Sequence, residues 1–303
     1  MSDVDAARST VSVGLNIDNS GSGGDPAAIR DTILRAEASG FDLAMVSDHV
    51  AVTADVDAKY PAPFLEAFTL LAWAAGVTSS IALGTTVAIL PYRHPLLVAA
   101  MTDTIERLSG RRFVLGVGAG WAEQEYRALG VEYAERGQIT EDFLAALAAL
   151  RAGSDHNGPY ASFSDVRSGH FSADVWVGGN GRAAMSRAAR HAQAWHPLDI
   201  TLDRLREVDA PARFGGCGPT SLAPRVKLRV MTRPVAGPGR LLGHGTWDQI
   251  EADLRELVAM GASAIVLDPD VPAVRDGADP WPWLERAADS LRTAGALEDR
   301  RTK

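Results

Sequence analysis

The chain has 303 residues, with 30 Lys and Arg against 38 Asp and Glu, for a formal net charge of −8. Hydrophobic residues at 46% are enough to bury a sizeable core, which excludes low-complexity disorder as the main state. The acidic balance argues against a nucleic-acid binder, which needs a basic face for phosphates, and against adhesion to anionic membranes.

A single cysteine, Cys217, excludes an intrachain disulfide and a Cys-based metal cage. Met1 to Arg8 carries Asp3 and Asp5 and lacks the apolar stretch of a secretory signal. The longest apolar runs, Leu70 to Val77 and Ile81 to Leu90, are far shorter than a membrane span. The expectation is a cytoplasmic chain.

Val11 to Ile17 predicts a strand. Asp25-Pro26 opens a helix, because Asp caps well and Pro suits the first helical position; Gly40 closes it. Asp42 to Ser47 predicts a strand, Phe64 to Ala75 a helix, and Ile81 to Leu90 a strand rich in β-branched residues. Pro95 to Leu108 predicts a helix and Phe113 to Val117 a strand, followed by a Gly-rich turn and helical stretches to about Arg151. Gly153 to Ser172 reads as a long polar loop, and loops of that length inside a compact domain are usually functional. Alternation resumes with strand Asp174 to Val177, helix Arg182 to Arg190, strand Gln193 to Trp195 and helix Leu202 to Val208. After irregular Pro211 to Pro224 come strand Arg225 to Met231, helix Thr246 to Met260, strand Ser263 to Leu267 and helix Trp283 to Ala294.

About eight β-then-α units in one chain without a Pro-, Gly- or Ser-rich linker predict an α/β fold, a single (β/α)8 TIM barrel over residues 1–303. Function then belongs at the C-terminal ends of the strands. Those ends carry Asn16, Asp48-His49, Thr86-Val87, Pro91 to His94, Gly118 to Trp121, Gly178 to Gly181, Trp195-His196, Thr232-Arg233 and Asp268.

Asp48-His49 is the most chemical pair. A His there moves a proton near neutral pH or hydrogen-bonds a ligand, unless it only holds its own loop. Gly116 to Gly120 follows a strand but lacks the spacing of a dinucleotide fingerprint; its glycines admit a flat ligand or a phosphate close to the backbone, or simply make a tight turn. Gly178-Gly179-Asn180-Gly181 precedes a helix whose free N–H groups suit an anion. The seven histidines are scattered and form no metal-binding spacing, and neither a Walker A sequence nor a G-x-S-x-G elbow is present.

Leu83 to Pro95, Asp103 to Arg112, Gly116 to Trp121 and Glu125 to Gly130 together resemble the bacterial luciferase-like monooxygenase family. Asp48-His49, Trp176 to Gly179, Arg187 to Arg190 and Gly245 to Ile250 follow in the family's order, so the resemblance spans roughly residues 11 to 270. It implies a barrel that binds a flavin or the deazaflavin F420 at the strand ends. A chain without a large insertion is similar to the F420-dependent oxidoreductase branch, with hydride transfer between F420 C5 and a small organic substrate. The alternatives are a two-component FMN-dependent monooxygenase, which needs a reductase partner, and a flavin- or deazaflavin-binding protein without turnover. A homodimer is possible within the family.

Residue by residue, the resemblance makes His49 and Asp48 the catalytic pair. It places a non-proline cis peptide between Thr86 and Val87, behind the ring. Gly118, Ala119, Gly120 and Trp121 line the cofactor, and Gly178, Gly179 and Asn180 form the phosphate turn. Arg93, Arg182 and Arg187 are candidates for the anionic tail, Trp121, Trp195 and Tyr92 for apolar walls, and Gly153 to Ser172 and Pro211 to Pro224 for lids. No metal is expected. The family's sugar-phosphate dehydrogenases carry a Glu after the strand-four glycines and a Trp after the Asp-His pair. This chain has Trp121 and Thr53 there, so that activity is not expected. Glu123 and Glu125 read as helix-face residues, with Arg127 in i,i+4 reach of Glu123 alone.

Overall fold

The computed structural model describes residues 11–167, 169–208, 220–269 and 279–302. Met1 to Arg8, Cys217 and most of the second lid candidate, residues 211–219, lie outside the described residues. The strands are β1 (Ser12–Ile17), β2 (Leu43–Val46), β3 (Ala82–Thr85), β4 (Phe113–Gly118), β5 (Asp174–Gly178), β6 (Ala194–His196), β7 (Arg225–Val230) and β8 (Ala264–Pro269). Between and after them run α1 (Pro26–Ala38), α2 (Ala67–Val77), α3 (Pro95–Ser109), α4 (Arg136–Ala152), α5 (Arg182–His191), α6 (Leu202–Val208), α7 (Trp247–Ala259) and α8 (Trp281–Thr302).

Neighbouring strands pair in parallel from β1 through β6, and β1 and β7 both pair with β8. The barrel closes between β6 and β7. Ser221 and Leu222 pair with Ala194 and Trp195, and the Arg225 N–H donates to the Pro197 carbonyl at 2.9 Å. The (β/α)8 barrel expected from the sequence is therefore present.

Helix ends follow local chemistry. Asp25 accepts from the Ala28 N–H at 2.9 Å with Pro26 just inside α1. Gly110 and Gly153 close α3 and α4 in the left-handed region, which a residue with a Cβ adopts reluctantly. The second helix starts at Ala67 rather than Phe64, because Glu66 caps it by accepting from the Thr69 N–H at 2.7 Å.

Strand residues alternate between two cores. Val13, Leu15, Ala44, Val46, Leu115, Val175, Val177, Ile265 and Leu267 face outward to the helices. Leu43, Met45, Trp176, Ala194, Ala223, Ala264 and Val266 fill the lumen. Gly14 and Gly84 make room for this plug: a Cβ on Gly14 would meet Val266 at 3.1 Å, and one on Gly84 would meet Met45 at 2.9 Å. The lumen is packed below and leaves the chemistry to its upper rim.

Two expectations need correction. The strand expected to run from Ile81 to Leu90 breaks after Thr85, and only Ala88–Ile89 resumes pairing. Gly84 pairs with Val114 but Ala88 with Val117, so β3 carries one extra residue against β4, a bulge at Thr86-Val87. The described part of Gly153 to Ser172 does not cover the barrel mouth. It joins the end of α4 to the start of β5 and folds back along the outer flank of α4. There the Asp142 carboxylate accepts from the Tyr160 and Ala161 N–H groups and from His156, and Ser172 is held by Glu106 at the far end of α3.

Candidate functional site

The upper rim of the lumen is polar and buried. Arg225 reaches up from the start of β7 and donates to Asp268 Oδ2 at 2.9 Å, to the Thr86 carbonyl at 2.8 Å and to Ser47 Oγ at 3.1 Å. Burial works against its charge, but the Asp268 carboxylate more than offsets this and holds its pKa above the ordinary value. Asn16 Nδ2 donates to Asp268 Oδ1 at 3.0 Å, while Asn16 Oδ1 is buried without a partner among the described residues. His196 lies 2.8 Å from Thr86 Oγ1 through Nε2 and against the Ala223 carbonyl through Nδ1. Nδ1 donates and Nε2 accepts from the hydroxyl, so the ring is neutral. Burial first, and Arg225 beside it, push its pKa down to about 4 against the opposing Ala223 bond. The Thr86-Val87 peptide is cis, as the resemblance implied.

Above this layer the two residues of the Asp48-His49 pair separate. The Asp48 carboxylate takes the Arg93 guanidinium in a two-point contact at 2.7 and 2.9 Å and the Ile89 N–H at 2.9 Å. Arg93 also donates to Glu66 at 2.8 Å. The pairing makes Asp48 a clamp between the ends of β2 and β3, and it occupies Arg93, which was expected to reach toward an anionic ligand. His49 instead meets Glu125: Nδ1 lies 2.6 Å from Oε2. Glu125 Oε1 accepts the Val50 and Ala51 N–H groups at 2.6 and 3.0 Å, and Oε2 also accepts the Tyr92 hydroxyl at 2.9 Å. Burial raises the Glu125 pKa, yet the His49 contact and the two N–H donors outweigh it and hold it below the ordinary value. Tyr92, buried beside that carboxylate, is pushed far up and stays a donor.

Glu125 is therefore a candidate site residue that the sequence did not reveal. It was expected as a helix-face residue, and it is 0% exposed. Its neighbour Glu123 does pair with Arg127, at 3.3 Å, as the spacing foretold. His49 itself is 4% exposed, with Tyr60, Phe64 and Trp121 rings centred 5.2 to 5.6 Å away. Lys59 sits 3.8 Å above the Trp121 ring, and Trp121 and Val50 keep exposed apolar surface at the mouth.

The glycine turns have a packing reason of their own. A Cβ on Gly118 would meet Val87 Cγ2 at 2.7 Å, and one on Gly178 would meet Val87 Cγ1 at 2.9 Å. Gly120 has φ +66 and leaves room for Ile89, and the Ala119 carbonyl accepts from Tyr126 at 2.5 Å. Gly179 has φ +111, and its carbonyl accepts the Trp195 indole at 2.7 Å. Trp195 is thereby a core residue, not a wall of the mouth. Asn180 bridges to the segment after β6 by donating to the Leu198 and Asp199 carbonyls. The first turn of α5 has no side-chain cap, which leaves its N–H groups to an anion. Arg182 is exposed at that turn, whereas Arg187 binds the Gly137 carbonyl and Glu141 on the outer flank.

These features fit a flat, anionic redox cofactor. An unpartnered buried acceptor at Asn16 suits a ring N–H, and an uncapped helix start suits a phosphate. The chain is similar over 178 residues to an uncharacterized protein of Mycobacterium tuberculosis, at 31% identity, covering 53% of this chain and 61% of that relative's length. Its fold is similar to an F420-dependent secondary alcohol dehydrogenase in complex with an F420-acetone adduct. The TM-score is 0.71 and the identity 16%, over 93% of this chain and 99% of that one. It is likewise similar to the oxygenating constituent of 3,6-diketocamphane monooxygenase from Pseudomonas putida in complex with FMN. There the TM-score is 0.66 and the identity 17%, over 93% and 96%. The profile of the luciferase-like monooxygenases matches residues 10–213, more than half of the chain, and the chain belongs to that family.

Proposed function

We propose that the protein is an F420-dependent oxidoreductase that moves hydride between F420 C5 and a small organic alcohol or carbonyl compound. The observation that carries this reading is His49. Its Nδ1 is held by an ionised carboxylate, and its Nε2 has no partner among the described residues, at a mouth walled by aromatic rings. F420 supplies, when bound, the two-electron carbon centre. Asn16 Oδ1 is the acceptor for a ring N–H, and the α5 N-terminus with Arg182 receives the phosphate side. His49 Nε2 takes the hydroxyl proton as an alcohol loses hydride, or returns it to the oxygen as a carbonyl gains hydride. Tyr60, Phe64 and Trp121 exclude water from that oxygen and orient an apolar substrate.

The F420 choice is supported by a likeness that covers 99% of an F420-dependent dehydrogenase. The FMN reading is favoured in turn by the likeness to the FMN-bound monooxygenase constituent; it would call for oxygen and a reductase partner. Equilibrium titration with F420 and FMN, each in both redox states and followed by fluorescence, separates the two. Micromolar F420 binding with weak FMN binding is expected. Preference for reduced FMN would replace hydride transfer to a substrate with oxygen chemistry.

A further inference from the structure

We infer that Glu125 is a positioning residue that dictates which nitrogen of His49 carries the proton. The inference rests on the reading of His49 as the proton-transfer group, but it concerns the ring itself and is tested without turnover. Glu125 Oε1 faces two backbone N–H groups, Val50 at 2.6 Å and Ala51 at 3.0 Å. Backbone N–H groups only donate, so this end of the side chain must be an acceptor. Oε2 faces His49 Nδ1 at 2.6 Å and the Tyr92 hydroxyl at 2.9 Å. An ionised carboxylate has no proton to give, so Nδ1 carries the hydrogen. In the neutral ring the lone pair then sits on Nε2, the nitrogen without a partner among the described residues. The carboxylate is fully buried and engaged at both oxygens by these four contacts.

This geometry makes Glu125→Gln an asymmetric substitution. Val50 and Ala51 demand the amide oxygen at the Oε1 place. The amide NH2 is thereby forced toward His49 Nδ1, which must accept. The ring proton moves to Nε2, so a base becomes a donor while shape and volume stay the same.

The test is two-bond 1H–15N correlation on histidine-labelled protein at alkaline pH, where imidazole is neutral, with the His49 signals assigned by their loss in His49→Gln. Wild type is expected to show the Nδ1–H tautomer and Glu125→Gln the Nε2–H tautomer. Tyr92→Phe removes the neighbouring hydroxyl but keeps the carboxylate, and it is expected to stay Nδ1–H. An Nε2–H ring in wild type overturns the inference, as does a Glu125→Gln ring that keeps its proton on Nδ1. Should Glu125→Gln fail to fold, the wild-type and Tyr92→Phe spectra decide alone. With a substrate in hand, Glu125→Gln is expected to slow alcohol oxidation by about 10²–10⁴-fold. If His49→Ala left turnover intact, the catalytic reading of His49 would fail while the tautomer result stood.

Discussion

Asp48 and His49 are adjacent in the chain and opposite in role. Asp48 is one half of a buried ion pair. Replacing it by Ala strands the Arg93 guanidinium with Glu66 alone, and breaking a buried pair from one side costs about 3–5 kcal/mol. His49→Ala removes a ring whose charged neighbour keeps Tyr92 and two backbone donors, so its stability cost is expected to be smaller, about 1–2 kcal/mol, while proton transfer is lost. Urea unfolding of both variants at pH 7 checks the order; an Asp48→Ala variant as stable as wild type would contradict the clamp. His196 gives a pH window. Folded, it stays neutral to about pH 4, whereas the unfolded residue binds a proton near 6.5. As pH falls from about 6.5 to about 4 the unfolded state gains a proton that the folded state refuses, so stability drops by about 3 kcal/mol across that span. Unfolding free energies measured from pH 7 to 4.5 should fall less steeply, by one bound proton, in His196→Asn than in wild type. His49 was legible because its strand end was legible. Glu125 was not: it lies 76 residues away on a short helix, and only the folded backbone brings it to Nδ1.

At the scale of elements, the strand and helix pattern was legible because both faces of a parallel strand are buried and helix starts such as those of α1 and α2 carry their own caps, Asp25 and Glu66. The bulge in β3 was not readable from periodicity, since the run from Ile81 to Leu90 keeps its apolar pattern through the extra residue; the family resemblance alone located it. Its packing consequence is testable. Val87 fills the space left by Gly118 and Gly178, so Gly118→Ala is expected to cost about 1–3 kcal/mol through overpacking. Val87→Ala should relieve part of that cost, and a double-mutant cycle by denaturant unfolding measures the coupling. Additive costs would mean that the two side chains do not meet. The clasp of Glu37 makes a second case. Burial raises its pKa, but the Ser80, Ile81 and Ser79 N–H groups outweigh this and hold it down to about 2. Glu37 thus ties α1 to the entry of β3. Being largely solvated, it is expected to contribute only about 1 kcal/mol, present above pH 4.5 and lost as pH falls toward 2. Glu37→Gln should therefore be less stable than wild type at pH 7 and approach it in acid.

The whole molecule divides into a packed lower lumen and a polar rim to which distant strands contribute. Asn16, Thr86, His196, Arg225 and Asp268 come from five strands or strand ends, yet a single hydrogen-bonded layer joins them. A ligand seated on that layer would be bound only by the closed barrel, since unfolding scatters its contacts. Its binding must then stabilise the entire chain. At a free concentration of 100 times its Kd the gain is about 2.7 kcal/mol, or a rise in Tm of roughly 5 °C for a chain of this size. The matching cofactor, F420 on the reading above, is expected to give this shift, and FMN at the same concentration a much smaller one. Asn16→Ala sharpens the experiment. Loss of the Nδ2–Asp268 bond should lower the ligand-free stability by about 1 kcal/mol, and loss of the unpartnered Oδ1 should shrink the ligand-induced shift as well. If the shift survived unchanged in Asn16→Ala, the ring would have to sit elsewhere on the rim, and the buried acceptor would need another donor.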